Sequence, residues 1–249
     1  GVGELYGADI NFVFDDQAGK LKLDLLAGEI VIKATNTDLN KKIIDFDQVS
    51  VSQTSVVLRM DNQAKNMVKA ETASPGYFAW DIRGDIIDIK DVACRMTNYT
   101  DTSVYNPLSG FSVIGLVMKL SDLELNKEKV NAAIENLKFD LGNGFSMRDL
   151  NGKIGSHSGT TRIDIDVETA NSKFNLEGLA DRNIFDIIKD PAGVHKANLT
   201  IRKTEVSLAD IFYFKPELQK IPGLTTLSSR PVTINSDIKL DGSVLNLAS

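Results

Sequence analysis

Two histidines, one cysteine and several paired carboxylates are the side chains here whose chemistry could reach beyond packing. His157 lies in the polar turn GSHSGTT and His195 in the loop PAGVHKAN. The sequence holds no nucleophile elbow, so neither histidine has a serine partner of the hydrolase kind. It holds no HExxH or paired-histidine spacing, so zinc hydrolysis has no basis. Cys94, in the strand-like run DVACRM, is the sole cysteine. An intrachain disulfide and a multi-cysteine zinc site are thereby excluded, and Cys94 reads as a small buried hydrophobe. Asp164 and Asp166 share one face of a strand, as do Asp45 and Asp47. Strand alternation on a solvated face produces such pairs without any function. Neither pair fits an EF-hand loop, which needs ligands at odd positions, a central glycine and a distal glutamate. Glycoside cleavage needs two carboxylates facing across a cleft, and nothing in the sequence favours that geometry. GNG at 142–144 and GELYG at 3–7 lack the strand–loop–helix setting of a phosphate site. The sequence therefore assigns no catalytic, cofactor-binding or metal residue, and the chain reads as non-enzymatic.

Charge narrows the partners. The formal net charge is −6, with no Lys/Arg cluster, which argues against nucleic acid and weakens any case for anionic headgroups. Trp80 is the sole tryptophan and forms one aromatic cluster with Tyr77 and Phe78; IFYF at 211–214 forms the other. Both read as core or rim residues. Displayed to solvent, the Trp80 cluster would instead suit an alternative function, that of a surface-exposed adhesion or glycan-binding β-domain.

The elements that would position these side chains are mostly strands. At 249 residues the chain has room for one large β domain or two smaller ones, and sub-units 1–110 and 111–249 are one division it allows. Period-two alternation dominates: IDIDV puts Ile163, Ile165 and Val167 on one face, and KFNLEGL repeats the pattern with Phe174 and Leu176. WDIRGDIIDIKDV alternates through Trp80 and Ile82, reaches a turn or bulge at Gly84-Asp85, and resumes at Ile87, Ile89 and Val92 with its phase shifted. Residues 21–36 read as a hairpin turning at Ala27-Gly28, and 232–247 as another turning at Asp241-Gly242. Segments 43–58, 86–99 and 117–130 form a loose repeat. In each, alternating apolar residues lead to an acidic or amide residue, then to Val49, Val92 or Leu123. The uneven spacing rules out a strict solenoid and fits one sheet extended by similar hairpins. Helical signals are few. Residues 207–223 carry the cap pair Ser207 and Asp210, with Pro216 breaking the run, and 181–191 places Ile184, Ile187 and Ile188 at helical spacing. Residues 126–139 carry a helical stripe among strand neighbours, and the neighbourhood tips them to strand. No apolar run of about 20 residues is present to span a membrane.

Many strands thus carry an apolar face, and few helices are available to cover them. Such a face can pack on another sheet, curl on itself, or meet a ligand. A ligand with a long acyl tail would gain on the order of 10 kcal/mol, at ~0.8 kcal/mol per buried methylene.

Several segments carry a resemblance. IDFDQVSVSQTSVVL (44–58) is similar to the recurrent strand–turn–strand motif of the AsmA-like superfamily, and within it of the TamB-type translocation and assembly proteins of Gram-negative bacteria. LKFDLGNGFSMRDLNGKI resembles that family's joint between two strands through Leu137, Phe139, Gly144, Phe145, Leu150 and Gly152. TANSKFNLEGLAD and TEVSLADIFYFKPEL also look like segments of such proteins, and the similarity covers about residues 15–245. The chain departs from them in length and in lacking their N-terminal membrane anchor. The resemblance implies a mainly β fold: a long twisted antiparallel sheet curled into an elongated, taco-like trough, with a few short helices. It implies a periplasmic location, with an inner-membrane anchor outside this segment. It further implies phospholipid acyl chains as cargo and an outer-membrane assembly protein as a partner. The family has no catalytic residues to carry over and implies no cofactor. Ile163, Ile165, Val167, Phe174 and Leu176 are the candidate inward-facing, lipid-contacting positions.

Overall fold

Alternating apolar residues become strand along most of the chain. The computed structural model describes residues 3–17, 21–60, 80–98, 111–190, 193–194, 196–227, 231–241 and 244–248. Among these, twelve strands form one sheet. They are β1 Gly3–Asp16, β2 Leu21–Asp38, β3 Ile43–Met60, β4 Asp81–Asn98, β5 Phe111–Leu125, β6 Val130–Leu141, β7 Ser146–His157, β8 Thr160–Thr169, β9 Lys173–Ala180, β10 Lys196–Val206, β11 Val232–Asp241 and β12 Val244–Ala248. Spatial order follows chain order from β1 to β12. The sheet is mixed rather than wholly antiparallel, because β3 and β4 run parallel. Asp81 N donates to the Lys42 carbonyl at 2.8 Å where that pair begins. The β4–β5 ladder joins the chain on either side of position 110 into the same sheet.

Two expectations about turns come out differently. Ala27-Gly28 is no turn but the middle of the eighteen-residue β2. A Cβ on Gly28 would lie 2.9 Å from Gln53 Cβ, so glycine is there to admit the neighbouring strand. Gly84-Asp85 likewise lies within an uninterrupted β4. Gly84 is buried, and a Cβ there would stand 2.1 Å from the Phe46 ring. The β11–β12 hairpin does form, with Asp241 paired to Val244, while Gly242 lies outside the described residues. Residues 130–141 are strand, because β5 and β7 flank them with ladders that the helical stripe cannot supply.

A crease crosses the first strands. Asp9, Gln53, Asp91 and Gly115 have φ of 51°, 48°, 54° and 61°. Asp9 lies opposite Gly28, Gly28 opposite Gln53, and Gln53 opposite Asp91, each falling between two paired rungs. A left-handed residue inside a strand reverses which parity faces the core. β1 accordingly moves from Leu5 to Ile10, Phe12 and Phe14 without changing its apolar side. Ala27 and Thr54, beside the crease, are among the most buried residues, whereas Asp9, Gln53 and Asp91 are exposed.

The internal repeat acquires a different meaning here. Residues 43–58 form a single strand, not a strand–turn–strand unit, and 86–98 lie within another. What recurs is the acid. Asp47 sits at the β2–β3 register shift, Asp91 at that of β4–β5, and Asp122 (φ 53°) at that of β5–β6. The repeat is thus a repeat of bulges.

Short helices occupy two connections. α1, Ile184–Lys189, follows β9 and is capped by Asn183, whose side chain accepts from Phe185 N. α2, Leu208–Phe214, follows β10 and is capped by Ser207. Pro216 then begins a 3₁₀ turn, Pro216–Lys220, and α3, Leu224–Leu227, comes next.

Candidate functional site

Side chains paired across a ladder point to the same side of a sheet, so the registers identify one apolar face. One rung runs Leu5, Ile32, Val49, Ile87, Leu120 and Ile134 from β1 to β6. It continues through Gly152, Ile165, Leu176 and Ile201 to Ser236 on β11. Another joins Phe12, Leu25, Val56, Cys94, Val113 and Leu141. The five candidate residues belong to this face: Ile165 pairs with Leu176, Val167 with Phe174, and Ile163 with Gly178. Each is half-buried. Gly178 makes the room, since a Cβ there would stand 2.7 Å from Ile163 Cγ1.

Among the described residues no second layer covers this face. Among the described residues only five apolar side chains are buried: Ala27, Phe46, Ala132, Phe145 and Phe212. A sandwich core of this length would bury many more. The opposite face carries ion pairs, with Lys22, Asp24 and Arg59 in one cluster and Lys119 bonded to Glu135 in another, interspersed with exposed apolar side chains such as Leu26 and Ile114. That hydrogen bond holds the Glu135 carboxyl below its ordinary value and raises the Lys119 ammonium.

The two longer connections fasten over opposite ends of the strands. At one end, Thr161 Oγ1 donates to the Arg182 carbonyl, Ile184 N donates to Ser156 Oγ, and Asn183 Nδ2 reaches the Glu128 carbonyl. Ser156 and Thr161 pair with each other and lie on the apolar face. Asn183 follows β9, whereas Glu128 precedes β6; the bond spans four strands. At the other end, Asp210 of α2 accepts from Thr169 Oγ1, Ser172 Oγ and Asn171 Nδ2. The sequence placed Asp210 in a cap pair with Ser207. Ser207 does cap the helix, its Oγ accepting from Ala209 N, but Ser207 N donates to Ser172 Oγ and Asp210 turns to the β8–β9 connection. Asn143 Nδ2 donates to the Tyr213 carbonyl at 3.1 Å, and the Phe145 ring packs on Phe139, Tyr213 and Phe214. These buried serines and threonines escaped the sequence reading. Their only signal was polar residues on an otherwise apolar phase at strand ends.

The groups weighed for chemistry do not converge. His157 is exposed at the end of β7, and His195 lies outside the described residues. Asp164 and Asp166 are exposed on the outer face, and Asp47 is displaced from Asp45 by its bulge. Among the described residues no three metal-ligating side chains gather. Trp80 is half-buried beside β4, while Tyr77 and Phe78 lie outside the described residues. Cys94 is half-buried on the apolar rung. Among the described residues no helix is long and apolar enough to cross a membrane. Neither a scan against protein-family models nor a search of curated proteins gives a match for this chain.

Proposed function

We propose that the chain is a non-enzymatic conduit segment whose creased sheet forms a trough for phospholipid acyl chains. The observation that carries this reading is the apolar face, continuous from β1 to β11 and, among the described residues, without a covering second layer. In the proposed trough, the line of left-handed residues beside the buried Ala27 and Thr54 turns the sheet toward that face. Ten strand spacings at about 4.8 Å each make it roughly 50 Å long. The ion-paired outer face meets water, and the apolar inner one gains by meeting lipid. The resemblance to AsmA-like, TamB-type proteins points the same way. It extends the proposal to a periplasmic location, an inner-membrane anchor beyond this segment, and lipid passage or assistance to outer-membrane protein assembly.

Mass spectrometry of lipid co-purified under native conditions, with titration by a pyrene-labelled phosphatidylcholine, tests the proposal. Ile165→Asp or Leu176→Asp should lower probe binding at least tenfold, while outward-facing Asp164→Asn should leave it unchanged. Equal binding by all three variants, or no lipid in any preparation, would end the proposal.

A further inference from the structure

Where β6 to β9 end, the apolar face is met by α2, which is held to the β6–β7 and β8–β9 connections. Phe139 shares that face with Leu137 and Leu141, by their rungs to β5. Its ring meets Phe145, and Phe145 meets Tyr213 and Phe214 of α2 at centroid distances of 6.2 and 4.9 Å. Phe212, from the same helix, is buried. One of the five buried apolar side chains found among the described residues, Phe145, makes this contact, and Phe212 is a second that α2 buries. At seven residues α2 is too short to be stable as an isolated helix, so its docking maintains it. The neighbouring stretch is loosely held: Phe214 and Ile221 are exposed, as is nearly all of Pro216–Lys220.

The fastening is polar. Asp210 is 6% exposed, and its carboxylate takes three hydrogen bonds from Thr169, Asn171 and Ser172. Replacing one apolar occupant by another costs the sheet little. The balance then rests on these bonds, and their strength is offset by the cost of keeping a carboxylate out of water. Releasing the helix therefore costs little more than these bonds contribute, and the docked state holds the majority.

We propose that α2 is a displaceable plug that competes with the acyl chain for the groove beside Phe139 and Phe145, with Asp210 as its latch. This rests on the groove reading above. Sign separates a plug from a wall. If α2 competes, Asp210→Ala weakens the competitor, and the labelled phosphatidylcholine binds roughly tenfold tighter, as expected when the competent state ceases to be a minority. Asn143→Ala, which frees the Tyr213 carbonyl, should act in the same direction. Weaker or unchanged binding in both variants would make α2 part of the wall and overturn the plug. Amide exchange on the full unliganded chain tests the plug independently of any ligand. The α2 amides through Lys215 should exchange at least tenfold faster than those of β8, and faster again in Asp210→Ala. Exchange no faster than β8 rejects the plug whatever the probe does. Absence of probe binding in every form, with fast α2 exchange, rejects the groove instead.

Discussion

At the scale of single residues, the positions that bend the sheet set its shape. Asp91 and Asp122 tolerate left-handed backbone because a short polar side chain bonds locally, whereas a β-branched residue would clash there. Asp91→Gly should raise stability by about 1 kcal/mol and Asp91→Val lower it by about 1–2 kcal/mol, read from urea unfolding. Gly152 is stricter. Its φ is 144°, and a Cβ would fall 2.1 Å from the Asp164 carbonyl oxygen of the adjoining strand. Gly152→Ala should cost about 3 kcal/mol or more, since backbone must move. On the outer face, Lys119→Ala should return the Glu135 carboxyl upward to its ordinary range, followed by carbon NMR titration. A lowered carboxyl pKa means that the pair's contribution is present above the ordinary carboxylate range. It fades as pH falls through the lowered value.

At the scale of elements, strand and connection divide the work. The ladders impose strand on residues 130–141 despite their helical stripe, because β5 and β7 both offer partners. The connections supply the fastenings. Asn183 caps α1 and also reaches the Glu128 carbonyl, so it joins the β9 end to the β5–β6 turn. Asn183→Ala should lower the unfolding free energy by about 1 kcal/mol for the cap alone, and by more if the bond to Glu128 carries tension. A double-mutant cycle with Ser156→Ala, which removes the acceptor of Ile184 N, would show whether the two fastenings act as one.

At the scale of the whole molecule, one open sheet that no second layer covers among the described residues should be elongated in solution. A compact 249-residue domain has a radius of gyration of about 18 Å. Small-angle scattering should give a clearly larger value, with a pair-distance distribution skewed toward long vectors. A symmetric distribution near the compact value would mean that the apolar face has found cover within the chain.

Strand identity, the apolar phase, the helix cap at Ser207 and the helical spacing from Ile184 were legible in the residues themselves, because period-two alternation, helical spacing and capping are local. The repeat was legible too, but not its meaning. Alternation shows that Asp47, Asp91 and Asp122 interrupt a phase, yet only a neighbouring strand can turn an interruption into a bulge rather than a turn. Gly28 and Gly84 misled for the same reason: glycine marks turns and close approaches alike. The parallel β3–β4 pair, the line of creases and the Asp210 latch join residues far apart in the chain. Pairing and packing between distant segments decided them, since nothing in a residue's own neighbourhood records which strand will lie beside it.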